Sequence, residues 1–236
     1  MFAVLTGTVS LLAQNDITKN KKWEDKPKIE GSGNIITRDV AIQPFDELKA
    51  TGVFSVLLKQ GTKEEVKIEA DDNLQDLFEV KNEGSQLIIS MKKEVNLSTK
   101  KGLKVYITFK KIKNIELNTV GSLSSEDNLS FENLSIANKS VGSVDLKMTA
   151  QTLNIENKSV GNIKLDGKAD NAVIKNNGVG SIKAGNFIVQ KMDIENSGVG
   201  SAEVNAEKEL KVKDSFLGKV TNRGNAPVKR MNKVVI

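Results

Sequence analysis

A short turn signal recurs through the second half of the chain at almost constant spacing, and no other feature limits the fold as strongly. The copies are Val120-Gly121-Ser122, Val141-Gly142-Ser143, Val160-Gly161-Asn162, Val179-Gly180-Ser181 and Val199-Gly200-Ser201, with Leu217-Gly218-Lys219 as a degenerate sixth. Subtracting successive glycine numbers gives 21, 19, 19, 20 and 18 residues. A period near twenty with a glycine in each copy is the mark of stacked β-coils. The glycines Gly121, Gly142, Gly161, Gly180, Gly200 and Gly218 are therefore expected to form structural turns, through positive φ or close backbone approach.

Apolar pairs flank each turn. Eight and six residues before the glycine stand Leu134 and Ile136, Leu153 and Ile155, Ala172 and Ile174, Met192 and Ile194, and Leu210 and Val212. Two and four residues after it stand Val144 and Leu146, Ile163 and Leu165, Ile182 and Ala184, and Ala202 and Val204. Both sets mostly alternate with polar residues, the period-2 pattern of strands with one buried face. Each coil is thus expected to hold two short strands, one in each of two sheets.

Four residues before the glycine come Asn138, Asn157, Asn176 and Asn196, with Asp214 in the last copy. Such a row could bind a ligand, or it could be an Asn ladder whose stacked amides hydrogen-bond along the solenoid. The ladder is favoured, because every coil needs the bend and only one place needs a site.

Residues 30–113 are less regular but also read as strands, among them Gly52 to Leu58, Val66 to Ala70, Leu87 to Ser90 and Leu103 to Phe109. Asp72 to Glu79 fits a helical turn or two. No linker separates this section from the repeats of 114–236, so 30–236 reads as one domain. The irregular section would cap one end of the solenoid and shield its open edge.

The first residues have another character. Met1 to Ala13 is apolar and uncharged. It is shorter than the roughly 20 residues of a membrane-spanning helix. Residues 1–14 read as a signal peptide, with an upstream basic region expected beyond Met1. Residues 15–29 form a polar, Lys-rich linker that contains Trp23.

Composition excludes several chemistries. The chain has no Cys and no His, which removes His/Cys zinc sites and Cys- or His-based nucleophile pairs. Charge is nearly balanced, with 35 basic against 30 acidic residues, and runs such as Lys63-Glu64-Glu65 mix both signs. The clearest basic stretch, Lys229 to Lys233, is short, so nucleic acid is not an expected partner.

Three segments resemble a known bacterial family. They are Gly31-Ser32-Gly33-Asn34-Ile35-Ile36, Phe45 to Phe54, and Val66 to Leu74 with its Asp71-Asp72-Asn73. In that order, followed by Leu103 to Thr108 and the Val-Gly-Ser repeats, they resemble the family described as "Putative auto-transporter adhesin, head GIN domain". The resemblance spans about residues 30–225. It implies an all-β, right-handed parallel β-helix of the pectin-lyase-like kind, about 20 residues per coil, exported by Bacteroidetes-type bacteria. It also implies an adhesion role and brings no catalytic residues.

The expected function is accordingly a non-enzymatic, exported surface or periplasmic module that contacts protein or glycan through a solenoid face. No cofactor or metal is expected, and self-association is left open. The rival reading is a polysaccharide lyase or hydrolase. Its candidate acids, Asp145, Asp166 and Asp193, fall at different repeat positions, and its arginines, Arg38, Arg223 and Arg230, do not form a cluster in sequence. Asp71-Asp72 is the only adjacent Asp pair. Such scattering offers no convergent acid–base set.

Overall fold

The computed structural model describes residues 28–92 and 96–231. The apolar opening run and nearly all of the expected linker, with Trp23, lie outside the described residues.

The first strands are β1 (Lys28–Glu30), β2 (Ile35–Val40), β3 (Glu47–Gly52), β4 (Ser55–Gln60) and β5 (Glu65–Asp71). A 3-10 segment, Asp72–Leu77, leads to β6 (Phe78–Glu83), β7 (Gln86–Met91), β8 (Asn96–Ser98) and β9 (Lys104–Phe109). Next come β10 (Asn114–Thr119), β11 (Leu123–Ser125), β12 (Leu129–Asn138), β13 (Val144–Asn157) and β14 (Ile163–Asn176). The last are β15 (Ile182–Asn196), β16 (Ala202–Asp214), β17 (Val220–Asn222) and β18 (Val228–Arg230).

From β10 onward the strands stack in parallel, one coil on the next, as a β-solenoid. β13 pairs with β14 in unbroken register from Val144↔Ile163 to Asn157↔Asn176. Equivalent side chains therefore lie one strand spacing, about 4.8 Å, apart along the axis. Every apolar pair that flanks the turns is buried in one core running through the stack.

The two strands expected in each coil are joined. β13 is a single strand of 14 residues. Its inward positions run Val144, Leu146, Met148 and Ala150, then resume at Leu153 and Ile155 after two outward residues, Gln151 and Thr152. That step is the second bend of the coil. Its core residues, such as Ala150 and Ala169, are small, so the sequence pattern there is faint. Departures from a 19-residue period appear as register shifts in β15 and β16.

Residues 30–113 do more than cap the stack. β3 and β4 lie parallel beneath β10 and β11, and β7 and β9 lie parallel beneath β3 and β4. Two coils of the solenoid therefore come from this section. Neither carries the Val-Gly signal: the strand expected at 52–58 breaks at a corner where Phe54, not glycine, occupies the turn position, and β7 is separated from β9 by an excursion through β8. Antiparallel strands cover the end beyond: β5 on β9, β2 on β5, and β6 on β7. Gln75, buried in the 3-10 segment, donates to Ile36 O at 3.0 Å and Ile68 O at 3.2 Å, tying these strands together.

Truncating a core residue should cost far more than truncating an outward one. Ile155→Ala should lower stability by about 2–5 kcal/mol. Lys164→Ala, on the outer face, should stay within about 0.5 kcal/mol. Denaturant midpoints that fall equally for both would contradict the core described above.

Candidate interaction surface

The Asn row lies inside the solenoid. Asn138, Asn157, Asn176 and Asn196 are all buried. Each amide nitrogen donates to the next amide oxygen, at 2.9, 2.7 and 2.6 Å in turn. Asn196 closes the row by donating to Gly200 O and Gly218 O. These amides face one another, leaving no surface for a ligand.

Beside them run the corner glycines. Gly161 has φ 148°, and a Cβ on it would sit 2.1 Å from Gly142 O of the coil below. Gly121, Gly142, Gly180 and Gly200 repeat this arrangement, each with positive φ. Gly218 is set apart, since it lacks a positive φ, yet a Cβ there would still meet Asn196 O at 2.3 Å.

The Asp71-Asp72 pair is a clasp. Asp71 is buried, and its two oxygens accept from the Gly33 N–H at 2.7 Å and the Thr99 hydroxyl at 2.7 Å. Asp72 accepts from the Ser32 hydroxyl and from the Asn34 amide at 2.9 Å. The Thr99 hydroxyl, then the Gly33 N–H, hold the Asp71 carboxyl below the usual carboxylate range. Ser32 and then Asn34 do the same for Asp72. Both groups are fully engaged in fastening the Gly31–Asn34 loop, so neither is a free base.

The other candidate acids are paired. Lys164 Nζ lies 3.3 Å from Asp145 and 3.2 Å from Asp166, bringing together two residues that are scattered in sequence. Asp193 faces Lys211 at 3.7 Å. Arg38 bonds Gln75, Arg223 pairs with Glu203 and Arg230 with Asp214. No group of three or more carboxylates is placed to hold a metal ion among the described residues. No helix there is long and apolar enough to cross a membrane.

The two ends of each coil differ. At the second bend a shallow groove of about 660 Å³ is lined by Thr149, Gln151, Lys168, Asp170, Gln190 and Lys208 among others. On the sheet faces, by contrast, charges pair across coils, as in Lys49–Glu116 and Lys213–Glu195. At the turn end, Val120, Val141, Val160, Val179 and Val199 stand in single file, each about half exposed. Val53 and Leu217 extend the file at its two ends. Reading these valines only as turn signals misses their exposure. The signal was present: alternation from Leu153 through Ile155, Asn157 and Ser159 places Val160 outside.

The match to known families falls on this frame. The model of the family "Putative auto-transporter adhesin, head GIN domain" matches residues 44–226. The chain belongs to that family. A protein of Bacteroides fragilis described as a putative adhesin is similar, with 30% identity and TM-score 0.73, covering 86% of this chain and 100% of that one. A putative lipid binding protein of Parabacteroides distasonis (19% identity, TM-score 0.58) covers 87% of this chain and 100% of its own. A putative adhesin of Parabacteroides merdae (18% identity, TM-score 0.54) has the same coverage. No curated protein matches. Family and fold together support a binding module of the adhesin type.

Two variants check the internal contacts. Asn157→Ala leaves the Asn138 donor without its partner and should cost about 1–3 kcal/mol by denaturant midpoint; an unchanged midpoint would show that the row carries no stability. Asp71 has its folded pKa depressed, so its contribution is present above the unfolded carboxylate range and lost as pH falls through the folded value. Wild-type stability should drop on acidification below about pH 4. Asp71→Asn should start lower at neutral pH and drop less. Parallel curves for the two proteins would remove Asp71 from the acid response.

Proposed function

We propose that this chain is an exported, non-enzymatic module that binds a protein or glycan of a cell surface through the polar edge formed by the second bends. One observation carries the reading. Gln151, Lys168, Asp170, Gln190 and Lys208 form no side-chain hydrogen bond or ion pair among the described residues, whereas several charges on the sheet faces are paired coil to coil, such as Lys164 with Asp145 and Lys213 with Glu195. Gln151, Asp170 and Gln190 stack in one row about 4.8 Å apart, with Lys168 in the row beside it, next to the exposed Ile188. Polar groups so placed and not engaged internally are free to meet an extended partner. Membership of an adhesin family agrees with this. The occupied carboxylates of Asp71 and Asp72 speak against lyase chemistry, which needs an available base.

The apolar Met1–Ala13 run followed by a polar stretch supports export. In cell fractions the mature chain should begin near Gln14 or Asn15; an intact Met1 in the soluble cytoplasmic fraction would refute export.

Glycan and surface-protein arrays probed with the purified chain should give retained partners. The triple variant Gln151→Ala, Lys168→Ala, Gln190→Ala should lose about tenfold or more of that affinity, as loss of central contacts does. Turnover of an acidic polysaccharide with calcium would overturn the non-enzymatic reading. Retention unchanged in the triple variant would move the binding surface elsewhere.

A further inference from the structure

The file of exposed valines is uncharged along its crest, and its flanks carry no acid. On one side the outward residues are Asn118, Lys139, Lys158, Asn177 and Ser197. On the other they are Ser122, Ser143, Asn162, Ser181, Ser201 and Lys219. Acidic side chains appear one row further out, and there Glu116, Glu156 and Glu195 pair with lysines, as does Asp145, while Glu203 pairs with Arg223. Lys139, Lys158 and Lys219 have no ion pair among the described residues. The strip is therefore aliphatic at its crest with cations only at its rim.

One end of the file is a wedge. Leu217 continues the valine positions, and Phe216 beside it is 99% exposed. At the other end, Val53 and Val120 share a hollow with Ser98, and Ser98 pairs with Glu30 of β1. The chain preceding Lys28 thus enters the fold at that end. In sequence, residues 15–28 hold five lysines, three acids and the only Trp, Trp23, a basic excess.

The shape narrows the occupant. A file of seven side chains about 4.8 Å apart is roughly 29 Å long and one side chain wide, so it offers on the order of 250 Å². A stable dimer needs about 800 Å² from each partner, which the strip alone does not supply. Strand addition is closed as well, because the corner backbone is used between coils: Val141 N–H donates to Thr119 O and Gly142 N–H to Val160 O. A convex crest encloses no small molecule, but it can be immersed in a planar apolar medium.

We propose that this edge docks on an anionic lipid bilayer, with Phe216, Leu217 and the valine file entering the headgroup boundary and Lys139, Lys158 and Lys219 facing lipid phosphates. Shallow apolar burial combined with basic attraction is the energetic pattern of interfacial binding. The polar edge at the other end of each coil would then face away from the membrane. This docking surface is separate from the one proposed above, and either stands if the other fails.

The test is flotation of the full chain with vesicles of phosphatidylcholine plus phosphatidylglycerol, against phosphatidylcholine alone. The wild type should float with the mixed vesicles and be released by salt. Val141→Ser, Val160→Ser, Val179→Ser combined, and separately Phe216→Ser, should each weaken partitioning by about tenfold or more. Phe216 lies outside the core, so that variant keeps its unfolding midpoint. Lys139→Gln with Lys158→Gln should remove most of the preference for phosphatidylglycerol. Absence of flotation by the wild type would overturn the proposal. Equal flotation of all variants would also overturn it, assigning binding to the segment before Lys28. A change in lipid-free sedimentation of the valine variant would overturn it in favour of self-association through the crest.

Discussion

Everything in this solenoid depends on one backbone resting directly on another at the Val-Gly corner. With a Cβ on Gly161 placed 2.1 Å from the carbonyl oxygen of Gly142, a side chain at that position would lift one coil off the next. Separation there would break the hydrogen bonds between those two coils, such as Gly142 N–H to Val160 O at 2.9 Å and Val160 N–H to Ser140 O at 3.0 Å. Glycine also accepts the positive φ that turns the chain between sheets. The corner thus sets the coil spacing, and the spacing sets which side chains meet.

The consequence inside is two kinds of row. Aliphatic residues stack on their counterparts to form a continuous core, so each coil buries its apolar face only because its neighbours are present. The amides of Asn138, Asn157, Asn176 and Asn196 stack too, but as a directed chain of donors and acceptors. A buried amide tolerates no slip of register, since one residue of displacement would strand its donor in an apolar interior. The aliphatic rows give cohesion, while the amide row fixes alignment.

Much of this was legible in the residues. The glycine period defined the coils, and the pairs Leu153/Ile155 and Ile163/Leu165 defined the inner faces. Three features were hidden for physical reasons. The long strands were cut short because Met148 and Ala150 are weaker apolar signals than Leu or Ile. The coil of β3–β4 was unseen because Phe54 stands where later coils place glycine, and that of β7–β9 because the chain detours through β8 between its two strands. The exposed valines were hidden by their own chemistry, since a β-branched aliphatic residue reads as core until its parity is counted. The surface groove joins residues of several coils, so no single repeat spells it out.

The order in which the coils are laid down is not their order in space. β3 and β4 form first in the chain, yet β7 and β9 settle on their outer side, and β10 returns to the inner side. All three of the covering antiparallel strands, β2, β5 and β6, precede β10. A chain synthesised from its N-terminus can therefore seal one end of the sheet before any repeat has emerged. After that, only one growing edge is open at a time, and each new coil closes it with contacts about twenty residues apart. Assembly by such short steps limits the time an unpaired strand is offered to a neighbouring molecule.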